Sequence, residues 1–357
     1  MNPLVPKLLP PETKPHVSVA RVERAWYVVC ASTALRAKPL STMLLGIPLV
    51  VFRGAGGEPG ALLDRCPHRN VPLSLGRVRE QRLECAYHGW QFERDGACAK
   101  IPCLVGETDT RGRRASAFPT CERDGFVWVW PSLEHAPTDE PFPLPLARDP
   151  QYTTIRRAVD VECSVHAAIE NALDVPHTAF LHAGLFRGTG PANDIEVRVQ
   201  RTAVGVEAEY LGEPRPKGLA GKILAPGGGV VVHYDRFFLP SVAQVEYRLG
   251  ERTHFLVTSL CTPVEDFRTR MHAVVSYRLP FPGWLVRPIL EPVAMRIFRQ
   301  DAAILQRQTE TIRRFGGERY VSTEIDVLGG HIWRLLKAAE NGEVVGSVEE
   351  HTRLRVG

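Results

Sequence analysis

At 357 residues, with 44% apolar and 24% charged side chains, the chain has the composition of an ordinary globular protein and the length of two domains. Its formal charge of +4 comes from 44 basic and 40 acidic residues, with no long basic block and no basic run interleaved with aromatics, which argues against a nucleic-acid partner. Eight scattered cysteines are too few for a disulfide scaffold, and no stretch reaches the roughly 18–20 uninterrupted apolar residues of a membrane span, so a cytoplasmic protein without an integral membrane segment is expected.

The N-terminal stretch MNPLVPKLLPPETKPH has three prolines by position 10 and no continuous apolar run, so it reads as an extended arm and not as a secretory signal. From Ala25 to about Pro131, short β-rich runs alternate with turns: Trp26 to Val29, Ile47 to Phe52, the glycine-rich Gly54 to Gly60, and Gly125 to Trp130. This spacing predicts a small all-β domain over residues 20–131. The stretch Pro131 to Pro150, with six prolines and four acidic residues, predicts a connector, placed at 132–150. In the remaining 151–357, Val161 to Leu173 has helical spacing, Ile195 to Tyr277 reads mostly as strands, and Val293 to Phe315 is a second periodic helix, which predicts an α+β domain. Glycines at 54, 56, 57 and 60, and at 227 to 229, are expected in tight turns, because neither set sits in a βαβ unit.

Two mixed pairs stand out in the first domain. Cys66 and His68 are separated by one residue, Cys85 and His88 by two, with sixteen residues between the pairs. A zinc finger keeps its cysteines together and its histidines together. Mixed pairs allow one iron of a [2Fe-2S] cluster to take both thiolates and the other both imidazoles. Pro67 and Gly89 favour tight loops, and Tyr87 and Trp90 can shield such a cluster from water. The segment resembles the C-x-H…C-x-x-H signature of the Rieske family, which implies an antiparallel β-sandwich with the cluster at its tip. High-potential Rieske proteins carry an extra cysteine beside each pair. Here Arg69, Asn70 and Val71 follow one pair and Ala86 lies inside the other, so the sequence is similar to the lower-potential, oxygenase-associated branch. Cys98, Cys103 and Cys121 are expected to be inert core thiols.

In VHAAIENALDVPHTAFLH, Val165, Ala168, Ile169, Ala172 and Leu173 form one helical face that Pro176 should end or kink. Asp174, His177 and His182 would then project around the break. Two histidines this close could equally be core or surface residues; a partner elsewhere favours a metal. Asp301 falls on the apolar stripe through Ala294, Ile297, Phe298, Ile304, Leu305, Ile312 and Phe315, where an isolated carboxylate is costly unless a cation compensates it. A bound Fe(II) held by His177, His182 and Asp301 would complete a two-histidine, one-carboxylate triad with open positions. The alternative is that Asp301 pairs with Arg296 or Arg299.

The same arrangement resembles the Rieske-type non-haem iron oxygenases, whose catalytic domain has a helix-grip (START-like) α+β fold and carries D-x-x-H-x-x-x-x-H followed by a later acid on a long helix. The resemblance implies that Asp174 is a bridging carboxylate between His177 and a cluster histidine of a neighbouring subunit, that Asn171 lies near the mononuclear iron, and that the enzyme is a homotrimer. Asn171 could equally be a helix-face polar residue or cap. His166 and Glu170 are expected to be structural, and His331 and His351 not to be ligands. An electron would enter from a separate reductase or ferredoxin, pass through the cluster, His88 and Asp174 to His177, and support O2 activation. No flavin or nicotinamide motif is present, so NAD(P)H would act through that separate reductase.

The length is similar to the α-only enzymes that hydroxylate, demethylate or desaturate, and monooxygenation of a hydrophobic cyclic or aromatic small molecule is the expected reaction. Tyr234, Phe237, Phe238 and Leu239 could line its pocket or simply fill a strand core. The amphipathic stretch Leu279 to Phe298 is expected to pack against the protein and not a lipid surface. The last forty residues add little. Two rival classes are a Rieske electron carrier with a non-catalytic ligand-binding domain and a protein whose Cys/His set binds structural zinc.

Overall fold

Short, largely apolar runs between tight turns give the first unit, Glu23–Pro143, three antiparallel sheets. β1 (Tyr27–Ala31), β11 (Phe126–Val129) and β10 (Thr120–Arg123) form one, and β2 (Leu40–Leu44), β3 (Ile47–Arg53), β4 (Pro59–Leu63) and β9 (Ala117–Phe118) the next. The third joins β5 (Arg77–Arg79), β6 (Arg82–Glu84), β7 (Gln91–Phe92) and β8 (Cys98–Lys100). Val50, Phe52, Leu62, Leu73, Leu83 and Phe92 form a closed apolar core directly beneath Cys66 and Cys85. The computed structural model describes residues 17–106, 112–182, 193–213 and 231–356. The expected N-terminal arm and the glycines at 227 to 229 lie outside them.

The second unit comprises Leu144–Gly357 with Glu12–Val22. Its frame is an eight-stranded antiparallel sheet in the order β12-β18-β17-β16-β15-β14-β13-β19. These are Thr153–Val161 (β12), Asn193–Arg201 (β13), Gly205–Leu211 (β14), Val231–Phe238 (β15), Val242–Leu249 (β16), Thr253–Glu265 (β17), Arg268–Arg278 (β18) and Val348–Val356 (β19). Helix α1 (Val165–Leu173) packs on β15 to β18, a single-turn α2 (Thr178–Leu181) follows, and α3 (Arg287–Phe315) contacts both α1 and β12. Among the described residues no helix is long and apolar enough to cross a membrane.

Several expectations need correction. The first helix begins at Val165, because Val161 closes a strand and Ser164 caps the helix, accepting a bond from Ala167 N at 3.2 Å. The long helix starts at Arg287, six residues early, since Pro288 suits a first turn and Pro292 is absorbed within the helix. Its buried stripe is Leu305, Thr309 and Ile312, while Ile304 and Phe315 face solvent. The last forty residues supply helix α4 (Gly329–Asn341), which buries Ile332, Leu335 and Leu336, and strand β19, which pairs with β13 along its whole length. Val17 to Val22 lies along α4, where Trp333 Nε1 donates to Val17 O at 2.7 Å and Lys337 Nζ to Val19 O at 2.8 Å. Cys98 is a core thiol as expected, but Cys103 is exposed in a turn and Cys121 only half-buried.

Candidate metal centres

Two loops of the first unit repeat one backbone plan. Cys66 N donates to Val71 O at 2.9 Å and Asn70 N returns to Cys66 O at 2.9 Å; Cys85 N donates to Trp90 O at 2.8 Å and Gly89 N returns to Cys85 O at 3.0 Å. Closing such a loop requires a left-handed residue in the fifth position, and Asn70 (φ 62°) and Gly89 (φ 69°) supply it, being among the residues that tolerate it best. The loops thereby set two cysteines, both 2% exposed, and two histidines at one tip. The rings of His68 and His88 lie 4.6 Å apart, and His68 stacks on Trp90 at 4.7 Å and 5°.

The donor chemistry fits a [2Fe-2S] cluster. Burial, reinforced by the adjacent Cys85, pushes the Cys66 thiol up to about 11, so paired thiolates need metal charge to exist here. Burial and the neighbouring His88 and Arg69 hold His68 below its ordinary value, which favours the neutral, ligating imidazole, and its buried Nδ1 has no hydrogen-bond partner.

In the second unit α1 ends at Leu173, Asp174 caps it, and Pro176 prevents its continuation. His177 and His182 then sit at the two ends of α2, so a single helical turn brings both to Asp301 of α3. His177 Nε2 and His182 Nε2 are 3.3 Å apart, and Asp301 Oδ1 lies 3.5 Å from the first and 3.0 Å from the second. Atoms about 2.1 Å from one ion and near right angles to each other stand about 3 Å apart, so these three fit a shared metal.

Hydrogen bonding points the same way. His182 Nδ1 donates to Gln300 Oε1 at 3.0 Å, and His177 Nδ1 faces Asp174 Oδ2 at 3.3 Å. With the His182 proton on Nδ1 through Gln300, and the His177 proton drawn to Nδ1 by the Asp174 charge although no hydrogen bond closes there, both Nε2 atoms present lone pairs to each other and to Asp301 Oδ1, a buried atom with no hydrogen bond of its own. Three acceptors turned on one point repel unless a cation lies between them. Burial opposes a charged imidazole at His177, yet the carboxylates of Asp174 and Asp301 outweigh it and push the group up to about 9, which again expresses a demand for positive charge. Asp301 Oδ1 faces His177 and His182, and Arg296 and Arg299 are exposed.

Asn171 lies one turn before Asp174 on the same helix, its carbonyl accepting from Asp174 N at 3.4 Å, outside the three-residue cluster. His166 Nε2 meets Gly329 O at 3.1 Å, a structural contact, and His331 and His351 pair with Glu350 and Glu196 away from the cluster. Tyr234 and Phe238 point to the opposite side of β15 from Phe237, so the four residues expected to line a pocket do not share a face. Sequence reasoning missed Gln300, which no motif marks. It also missed His233 and Asp235, although the period of VVHYDRFF places both on the buried face with Phe237.

Residues 25–114 match the family described as the Rieske [2Fe-2S] domain, and residues 161–341 match the vanillate O-demethylase oxygenase C-terminal domain. Over 342 residues the chain is 35% identical to the oxygenase component of dicamba O-demethylase from Stenotrophomonas maltophilia, covering 94% of this chain and 90% of that protein. It is 40% identical over 154 residues to chloroplastic chlorophyllide a oxygenase from Chlamydomonas reinhardtii, a match spanning 42% of this chain and 23% of that longer relative. The crystal structure of dicamba monooxygenase bound to dicamba has the same fold, with a TM-score of 0.75 at 24% identity over 90% of this chain and 98% of that one.

Proposed function

We propose, from the premise that this chain belongs to the Rieske-type non-haem iron oxygenases as an oxygenase component, that it hydroxylates a hydrophobic cyclic or aromatic small molecule with O2. Enzymes of this family combine a [2Fe-2S] cluster with mononuclear non-haem iron and receive NAD(P)H-derived electrons through a separate reductase or ferredoxin. The observation that carries the reading is the convergence of His177, His182 and Asp301 within 4.8 Å of one another.

In this reading Cys66, His68, Cys85 and His88 hold the cluster, and His177, His182 and Asp301 hold the ferrous ion. When bound, the cluster supplies single electrons and the ion supplies open positions at which O2 is reduced. Gln300 fixes the tautomer of His182 so that Nε2 stays free. Asp174 does the same for His177 and, in a homotrimer, would also meet a cluster histidine of a neighbouring copy. Asn171 would stand near the ion. A cytoplasmic location suits an enzyme fed by a soluble reductase.

Oxidative demethylation is the second reading. It is favoured by the full-length likeness to dicamba O-demethylase and by the match of the second unit to the vanillate O-demethylase domain. It shares the first step, since hydroxylating a methyl carbon on oxygen gives a hemiacetal that releases formaldehyde.

Metal and sulfide analysis tests the assignment: the oxygenase carries about three irons and two acid-labile sulfides per chain, an electron carrier only about two irons, and a zinc protein is colourless. Incubation with candidate ring compounds, a ferredoxin and its reductase, read by mass spectrometry, then separates a gain of one oxygen from loss of a methyl group with formaldehyde. A chain lacking the third iron would overturn the proposal.

A further inference from the structure

The stretch from Gly283 to Arg299 has two apolar sides, and the sheet of the second unit covers one of them. Val286 and Leu290 pack with Ile155 and Tyr277 of the sheet, and Ala294 and Phe298 continue that side. On the other side Leu285, Pro288, Ile289 and Pro292 follow one another at the i, i+3, i+4, i+7 spacing of a helix stripe, and all four are exposed. Leu285 is 52% and Ile289 68% open to solvent, and Trp284, in the 3-10 turn Gly283–Leu285 that leads into α3, is 67% open. Single exposed apolar residues are ordinary on a protein surface, but large ones gathered on adjoining turns form a patch.

Two further features suit this patch to lipid. The stripe continues past Pro292 as Arg296 and Arg299, both exposed, at i+4 and i+7 from that proline. With a rise of ~1.5 Å per residue they stand about 10–15 Å behind Ile289 on the same side of the helix. Between residues 278 and 300 the sequence holds four arginines and one acid, Glu291, and that carboxylate is already held by Arg157 and, at 3.1 Å, by Arg287. The surface is thus apolar at its tip and cationic behind it. The backbone fits as well, because a helix start usually leaves bare amides that lipid cannot satisfy. Here Leu285 N and Val286 N donate to Pro282 O and Gly283 O at 3.1 and 3.2 Å, and Ile289 N and Leu290 N both reach Val286 O, at 3.0 and 2.9 Å. Pro288 has no N–H to satisfy. A bilayer with anionic lipid offers hydrocarbon and then phosphate in the order in which the stripe presents apolar side chains and then arginines.

We propose that the start of α3 is a membrane-contact surface: Trp284, Leu285 and Ile289 enter the boundary between headgroups and acyl chains of an anionic bilayer, while Arg296 and Arg299 meet its lipid phosphates. The contact is peripheral, since among the described residues no helix is long and apolar enough to cross a membrane. Side chains of this kind sink about 5–10 Å into the boundary, which the arginines then stop at phosphate level. An apolar ring compound dissolves in the same layer, so on the oxygenase reading the surface would bring the helix that carries Asp301 to where its substrate is concentrated. The binding itself does not depend on that reading.

The test uses the full-length holoenzyme and two sets of vesicles, one of phosphatidylcholine alone and one with phosphatidylglycerol added. The parent should sediment with the anionic vesicles, far less with the neutral ones, and less as salt is raised. Leu285→Ser combined with Ile289→Ser should lower the partition coefficient about tenfold or more, and Arg296→Gln with Arg299→Gln about fivefold per arginine, with iron and sulfide content unchanged in both. Phe315→Ser, at the far end of the same helix and itself exposed, should bind as the parent does. Tryptophan emission should shift to the blue on adding anionic vesicles, and Trp284→Phe should abolish the shift. A parent that stays in the supernatant overturns the proposal, as do binding that the Leu285→Ser/Ile289→Ser pair leaves intact and a shift that Trp284→Phe retains. Sedimentation equilibrium covers the other occupant: an assembly of the parent that the same pair of changes dissociates assigns the patch to a second copy of this chain and overturns the membrane contact. No substrate enters any of these measurements, so an enzyme inactive on every ring compound counts against the oxygenase reading alone.

Discussion

Cys66, His68, Cys85 and His88 sit on two short loops of matching hydrogen-bond plan above one small core, whereas His177 and His182 meet their carboxylate only because a helix from far along the chain lies across them. The proposed cluster site is therefore largely a property of its loops, held by a left-handed residue in each. The second site is a property of packing. Its ligand candidates are placed by a proline-terminated helix, a single-turn helix and a 29-residue helix. The more a centre depends on distant elements, the more a change outside it should be felt inside it.

That contrast can be broken most sharply at the ligands. His177→Ala should lose about one of three irons per chain and all product formation, while the red-brown cluster spectrum persists, as read by metal analysis and visible absorbance. Loss of the cluster in the same variant would show that the two centres are not built independently. Asp174→Asn should retain both centres yet slow product formation and cluster reoxidation together by about 10–100-fold, measured in a single turnover of the reduced enzyme. Turnover at the parent rate would remove Asp174 from the bridge.

Acid sharpens the comparison through the frame of the second unit. Burial raises and His254, Arg236 and Arg248 more than offset it at Glu246, which is depressed to about 2; burial, with Arg270, holds His272 down at about 4. In both cases the unfolded chain binds more protons than the folded one, so stability is lost as pH falls: through about 6.5 to 4 for His272 and from about 4.3 to 2 for Glu246. Together these should cost on the order of a few kcal/mol by pH 3, seen as faster hydrogen exchange in β15 to β18 peptides. The smallest effect is expected in the cluster loops. Gly89→Ala forces a side chain into φ +69° and brings its Cβ to 3.0 Å from the Pro102 ring, which should cost about 1–2 kcal/mol in urea unfolding and loosen the cluster without touching the mononuclear iron.

Local chemistry was readable wherever the signal was local. The paired Cys and His residues, the turn at Gly89, the break at Pro176 and the buried run in β3 all declare themselves within a few residues. Helix faces were less legible. Ile304 and Phe315 fit the apolar period of α3 but point to solvent, because the period of one helix leaves open how wide a stripe its neighbours cover. Cys103 looked like a core thiol by type and is exposed because it sits in a turn. The C-terminal segment seemed uninformative, and yet β19 closes the sheet edge along β13, a pairing written in neither strand alone.

By itself the sequence determined the two-part organisation, the cluster loops and the candidate ligands of both centres, because those depend on residue type and short spacing. Only the tertiary structure decided that Asp301 faces His177 and His182, that Gln300 holds the His182 ring, and that His233 lies between two carboxylates and two tyrosine rings. Each of these depends on how strands and helices remote in sequence come to share one face, and free energy summed over a whole packed unit sets that, not the preference of any local segment.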